Sequence, residues 1–213
     1  MSDRPPTTGL DLRDAAWQTF TIPGSDRPVE LARLGADPDG GFNVVVRFPT
    51  GWTRPGPGHY DAIEEVLFLA GRFEMSGQVY QAGDYGWFPS WYTRTASHAP
   101  NGALALAWFS GANRWFEGES PSAPQAAVDA VATRWVDQER VPSPLGPAGW
   151  PLRRADGRES WILESVPEAT ALPSTVARVD LFDLAGHRWH GGAAGPDLPV
   201  AVPGPVWARI VWR

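Results

Sequence analysis

The chain has no cysteine. That removes disulfides, thiolate metal ligands and a cysteine nucleophile together. A disulfide-free chain fits the cytoplasm, and the opening MSDRPPTTGLDLRD has no apolar segment of the signal-peptide kind. Long apolar runs are also missing. The longest, 66–70 and 103–109, are far too short to span a bilayer, so a soluble protein with no membrane partner is expected. There is no basic run and the net charge is −6, which sets nucleic acid aside as a partner. No G-x-S-x-G, phosphate loop or dinucleotide fingerprint occurs, and the adjacency of Ser97 and His98 does not make a catalytic pair.

What the chain has in quantity is turn formers and aromatic residues. Gly 23 and Pro 22 favour frequent turns over long helices. Strand-like segments recur at 29–34, 42–48, 65–69, 72–75, 78–81, 85–88 and 104–109. Between them stand turn sequences such as Asp-Pro-Asp-Gly-Gly at 37–41 and Arg-Pro-Gly-Pro-Gly at 54–58. Short strands at this density predict an all-β sandwich or barrel. The 12 tryptophans fit a barrel with an aromatic-lined interior, although ordinary core and rim packing accounts for most of them. Residues 1–9 read as a loose arm. A stretch rich in Ser, Pro and Ala at 118–126 opens a linker over 118–134, and the spacing of Val128, Val131, Ala132 and Trp135 predicts one short helix over 126–136.

The second half echoes the first. Residues 28–49 have a counterpart at 149–167, and Leu-Ala-Gly stands at both 69–71 and 184–186. A period of roughly a hundred residues predicts two similar units, one over 1–117 and the other over 135–213.

The residues that carry chemistry lie between 51 and 102. They are His59, Asp61, the adjacent Glu64 and Glu65 ahead of an apolar run, and His98 about one hairpin later. Two imidazoles and a carboxylate on neighbouring strands are how an all-β barrel builds a site for a divalent first-row metal. A strand as apolar as VLFLA buries one of the two glutamates, and a buried carboxylate needs a cation or a hydrogen-bond partner. A metal would serve, and so would Arg94 or Arg47. His59 and His98 can equally be loop histidines, and Asp61 a turn residue. His187 and His190, around Trp189, have no carboxylate–histidine set before them and read as surface residues.

This pattern resembles the cupin superfamily, whose small jelly-roll barrels hold one metal. Its first motif runs Gly, a short gap, His-x-His, three or four residues, Glu, six residues, Gly. Glu64 and Gly71 match its end, and His59 lies five before Glu64, where the second histidine belongs, with Pro57 at the first. In a second register His59 is the first histidine, Asp61 replaces the second and Glu65 is the glutamate. Residues 59, 61 and 65 share a face if the segment stays extended, which favours that register. The second motif, Gly, five residues, Pro, then histidine, is met by Gly83 and Pro89, with Arg94 where strict spacing wants the histidine. His98 follows in Ser-His-Ala-Pro, ahead of Gly102 and an apolar strand. That order is similar to the cupins related to anti-sigma-factor sensor domains and acetylacetone-cleaving dioxygenases. The resemblance covers 10–115 well and 135–213 in outline.

It implies an all-β tandem bicupin of double-stranded β-helix (jelly-roll) barrels, the first metal-competent and the second without ligands. The implied ligands come from His59, Asp61, Glu64, Glu65 and His98. They would hold one divalent transition metal, Fe2+ first, with Zn2+, Mn2+ or Ni2+ as alternatives, or none if the site is degenerate. Trp52, Phe68, Tyr85, Trp87, Trp91 and Trp108 are candidates for the wall of an apolar pocket. Arg94 is the candidate catalytic residue, placed to hold an enolate or carboxylate. The favoured activity is dioxygenase-type oxidative cleavage of a small apolar or enolisable molecule. A non-catalytic sensor or ligand-binding protein, or a metal-free isomerase or cyclase, is the alternative. The second unit is further expected to serve as structural support for the first, the two sharing an apolar interface, with a homodimer formed through that surface.

Overall fold

A computed structural model describes residues 9–37, 40–155, 157–167, 172–193 and 201–213. Among these residues strands dominate, beside one seven-residue helix and one 3-10 turn. Among the described residues no helix is long and apolar enough to cross a membrane. The chain divides into two compact units, one of residues 16–134 and the other of 135–213 together with the N-terminal residues up to Ala15.

Strand β1 (Leu10–Asp11) pairs within the second unit, so the first begins with β2 (Gln18–Phe20), β3 (Val29–Ala36) and β4 (Phe42–Phe48). It continues through β5 (Trp52–Arg54), β6 (Gly58–Tyr60), β7 (Glu64–Met75), β8 (Gln78–Gln81) and β9 (Asp84–Phe88). It ends with β10 (Ser97–Ala99), β11 (Ala103–Phe109), β12 (Trp115–Glu117), helix α1 (Ala123–Asp129) and β13 (Val131–Arg134). The main sheet runs β13-β9-β7-β11-β4-β3-β2, β5 and β8 join it through β10 and β7, and β6 pairs with β12.

The strand that turns this sheet into a barrel is β7. Its first half pairs with β9 and β11, whereas 72–75 pair with β8, and Glu74 with β10. The change of partner falls at Gly71, which has a φ of 77°, and a Cβ there would run into the carbonyl oxygen of Gly102. Only glycine fits that corner. The strands expected at 65–69 and 72–75 are therefore one bent strand.

The short helix lies earlier than its periodicity predicts. Pro124 stands in its first turn, and Ala130 has extended backbone, after which 131–134 pair with β9. The segment expected to be a linker thus belongs to the first unit, where β13 covers an edge that β9 would otherwise expose.

The second unit comprises β1, β14 (Val141–Pro142), β15 (Ala148–Ala155), β16 (Arg158–Leu163), β17 (Val176–Asp183), β18 (Arg188–Ala193) and β19 (Val206–Trp212). They form a seven-stranded antiparallel sheet ordered β1-β18-β17-β19-β16-β15-β14. Trp161, Leu163, Val179, Leu181 and Ile210 centre its apolar cluster. The sequence echo is met in part. Residues 28–49 and 149–167 each contain an antiparallel hairpin, β3–β4 and β15–β16. The two Leu-Ala-Gly triplets differ, one lying within β7 and the other in the turn from β17 to β18.

Candidate functional site

The first unit encloses a cavity of about 480 Å³. Room exists because β11 reads ALALAWF and turns Ala105 and Ala107 inward, opposite Val46 and Val44 of β4. Larger side chains there would fill the space. One wall is aromatic, with the Phe73 ring packed on Phe48, Trp52 and Phe68 at 4.8, 5.9 and 5.4 Å.

Seven polar side chains line this cavity: the exposed Gln18 and Arg33, the half-buried Asn113, and a cluster of four, Arg54, Tyr60, Glu64 and Arg94. Strand alternation puts three of these four there. Trp52 and Arg54 face in from β5, Tyr60 from β6, and Glu64, Val66 and Phe68 from β7. Arg94 is fixed by a two-way backbone bridge to Gly58. Its Nη2 donates to Glu64 at 2.6 Å and its Nη1 to the Tyr92 carbonyl at 3.1 Å. Arg54 Nη1 donates to the Tyr60 hydroxyl at 3.3 Å. Both guanidiniums approach the Tyr60 ring, at 4.9 Å for Arg94 and 5.9 Å for Arg54. Both are buried, and the Nε of each has no hydrogen-bond partner. Burial lowers the pKa of Arg54, and the Arg94 charge works in the same direction, while Tyr60 and Glu64 oppose it.

The five candidate ligands are not brought together. Glu64 faces the cavity and Glu65 the opposite side of the sheet, where it accepts the Tyr85 hydroxyl at 2.9 Å. His59 also points away, packed between Trp91 and Phe116 at 5.5 and 5.6 Å with its Nδ1 3.2 Å from the Gly118 carbonyl. His98 stands opposite Thr53 in the β5–β10 ladder, on the side away from Trp52 and Arg54. Asp61 bonds Arg114 through the guanidinium at 2.7 Å and the backbone amide at 3.0 Å. The shared face expected for 59, 61 and 65 fails because Asp61 and Ala62 form a bend rather than extended strand.

Among the described residues no group of three His, Asp or Glu side chains could hold a metal. Glu64 is the one such side chain on the cavity wall, and it is already paired with Arg94. The donor set does not fit the metal that the motif implies. Of the pocket candidates, Trp52 and Phe68 line the cavity. Tyr85, Trp87 and Trp108 face the other side of the β9-β7-β11 sheet, and Trp91 is 40% exposed beside His59. Arg94 does reach the cavity.

Arg54 and Tyr60 escaped the sequence reading. The signal for Tyr60 was the motif's three-residue gap, which places Gly58 and Tyr60 at the two histidine positions ahead of Glu64. The Trp115 indole fills the space where a side chain on Gly58 would lie. Gly58, Tyr60, Glu64 and Arg94 thus stand where the motifs place a ligand set, and only the glutamate remains. Arg54 had a weaker signal, its parity with Trp52 inside an apparent turn sequence.

No family model and no curated protein matches the chain. Solved structures do. A protein from Nostoc punctiforme PCC 73102, provisionally named a dioxygenase, superposes with a TM-score of 0.79 at 13% identity, over 95% of this chain and 81% of its own. Protein Ylba from E. coli gives 0.63 at 11% identity, covering 96% of this chain and 90% of its own. A Pseudomonas aeruginosa protein provisionally named glyoxylate-induced gives 0.60 at 13%, over 92% and 84%. Likeness at such identities establishes fold. The fold is the expected all-β jelly roll.

Proposed function

We propose that the first unit is a metal-independent cupin barrel that binds a small, largely apolar molecule in its cavity. One observation carries this reading: among the described residues the only acidic group on the cavity wall, Glu64, is ion-paired to a buried guanidinium. The dioxygenase name of the Nostoc protein raises oxidative chemistry at a metal as the rival. That chemistry needs several imidazole or carboxylate donors with open positions beside them, and a single paired glutamate does not supply them. The apolar walls and few convergent polar groups are those of a ligand site.

A second reading is acid–base catalysis without metal, as in an isomerase or cyclase. Tyr60 and Glu64 favour it, since a phenol and a carboxylate on one wall are the groups proton transfer uses. Elemental analysis of protein purified without an affinity tag separates these readings from the metal enzyme. The expected result is well below about 0.1 equivalent of any transition metal, with no rise in Tm when Fe2+, Mn2+, Zn2+ or Ni2+ is added. Close to one equivalent of a single metal, lost in Glu64→Gln, would overturn the proposal.

A further inference from the structure

The charges in the cavity do not balance, and the imbalance identifies the ligand. Arg54 is 5% exposed, and its guanidinium bonds the Tyr60 hydroxyl and stacks on the Trp115 indole at 4.0 Å. Neither contact carries a full negative charge. The nearby carboxylate, Glu64, is held by Arg94, and among the described residues Arg54 has no ion pair. Its Nε is buried without an acceptor. A guanidinium removed from water needs a counterion, and stacking on an aromatic face offsets only part of that need. A third guanidinium on the lining, Arg33, is exposed to solvent and stacks on Phe42, so it needs no counterion from the ligand. Around the two buried cations and one carboxylate the wall is mostly apolar, from Val44, Val46, Ala105, Ala107 and Phe109.

We propose that the ligand is a small monocarboxylate with an apolar body, its carboxylate held by Arg54 and its hydrocarbon part lying along β4 and β11. The proposal rests on reading the cavity as a ligand site. A guanidinium offers parallel N–H donors matched to a carboxylate. One unmatched buried cation calls for one negative charge, and a second carboxylate on the ligand would be left uncompensated.

The test is calorimetric titration of the full chain at neutral pH with octanoate, octanamide and acetate. Octanoate is expected to bind at least roughly tenfold more tightly than octanamide, as a charge-assisted hydrogen bond implies. Acetate is expected to bind far more weakly than octanoate, because it buries almost no apolar surface. In Arg54→Gln the octanoate affinity should fall to that of octanamide, while octanamide is unchanged. Octanamide binding as tightly as octanoate to the unaltered chain would overturn the carboxylate assignment and leave the cavity reading standing. Acetate matching octanoate would overturn the apolar body. Failure of both octanoate and octanamide to bind would remove the cavity reading as well. Thermal melting of ligand-free Arg54→Met gives an independent readout. Deleting an uncompensated buried charge raises Tm, whereas a fall in Tm would mean the charge is balanced within the protein and would overturn the proposal.

Discussion

Glu64 and Arg94 hold each other in surroundings where neither charge is stable alone. Arg94 is 1% exposed and Glu64 16%, and they meet at 2.6 Å beside a second guanidinium. Removing the carboxylate leaves two buried cations facing one cavity. Glu64→Gln is therefore expected to destabilise the first unit by about 3 kcal/mol, the range for breaking a buried ion pair from one side. Glu64→Leu combined with Arg94→Met should recover most of that loss, since both charges then leave together. Urea unfolding of the two variants checks this, and equal losses in both would mean the pair is not the source of the effect. The presence of a buried glutamate was legible from the apolar run after it, and Arg94 stood among its named partners. Which of Glu64 and Glu65 turned inward was not legible. That depends on a two-residue bend at 61–62, and a period-2 count carries no information once the strand is interrupted.

At the scale of elements, strands were easier to read than the helix. The segments 42–48 and 78–81 coincide with β4 and β8, since β-branched and aromatic residues there are bounded by Gly-containing turns. The helix was displaced because Val131–Arg134 finds a partner in β9, and tertiary pairing overrides a helical spacing in so short a segment. Pairing also changes the status of His190. It lies half-buried in β18, where a Cβ on Gly9 would come within 3.8 Å of its Nδ1. Burial lowers its pKa, Arg188 adds to that, and Asp183 opposes it. Above pH about 7 the imidazole is neutral in both folded and unfolded chains, so it contributes nothing to the pH dependence. As pH falls through about 6.5, the unfolded chain takes up a proton that the folded one resists, and stability declines until the lower folded pKa is passed. Urea midpoints of the second unit should therefore drop between about pH 7 and 5. His190→Gln should flatten that slope, and an unchanged slope would place the titrating group elsewhere.

At the scale of the whole chain, the two units do not divide where composition changes. The Gly, Pro and Ser content at 118–126 marks a loop and the first turn of α1 within the first unit, because β13 follows the helix and returns the chain to β9. At the other end, Leu10 and Asp11 pair with Trp189 and Arg188, so the start of the sequence belongs to the second unit. Asp11 is tied further by its bonds to Arg13 and Arg188, which lower its pKa, Arg13 having the larger effect. Long-range pairings of this kind leave no local composition signal. They have a direct consequence for dissection. A fragment of residues 1–117 carries β1 without β18 and leaves the β9 edge uncovered by β13, which exposes Asp84–Phe88 to pairing with another chain. A fragment of residues 16–134 keeps every strand of the first unit and omits the orphan. We expect 1–117 to aggregate and 16–134 to elute as a monomer, with octanoate affinity within about threefold of the full chain. Size-exclusion chromatography and calorimetry of the two fragments decide it. Equal behaviour of the two would show that β13 does not protect the sheet edge, and a 16–134 fragment that aggregates would make the second unit the support that the sequence reading expected.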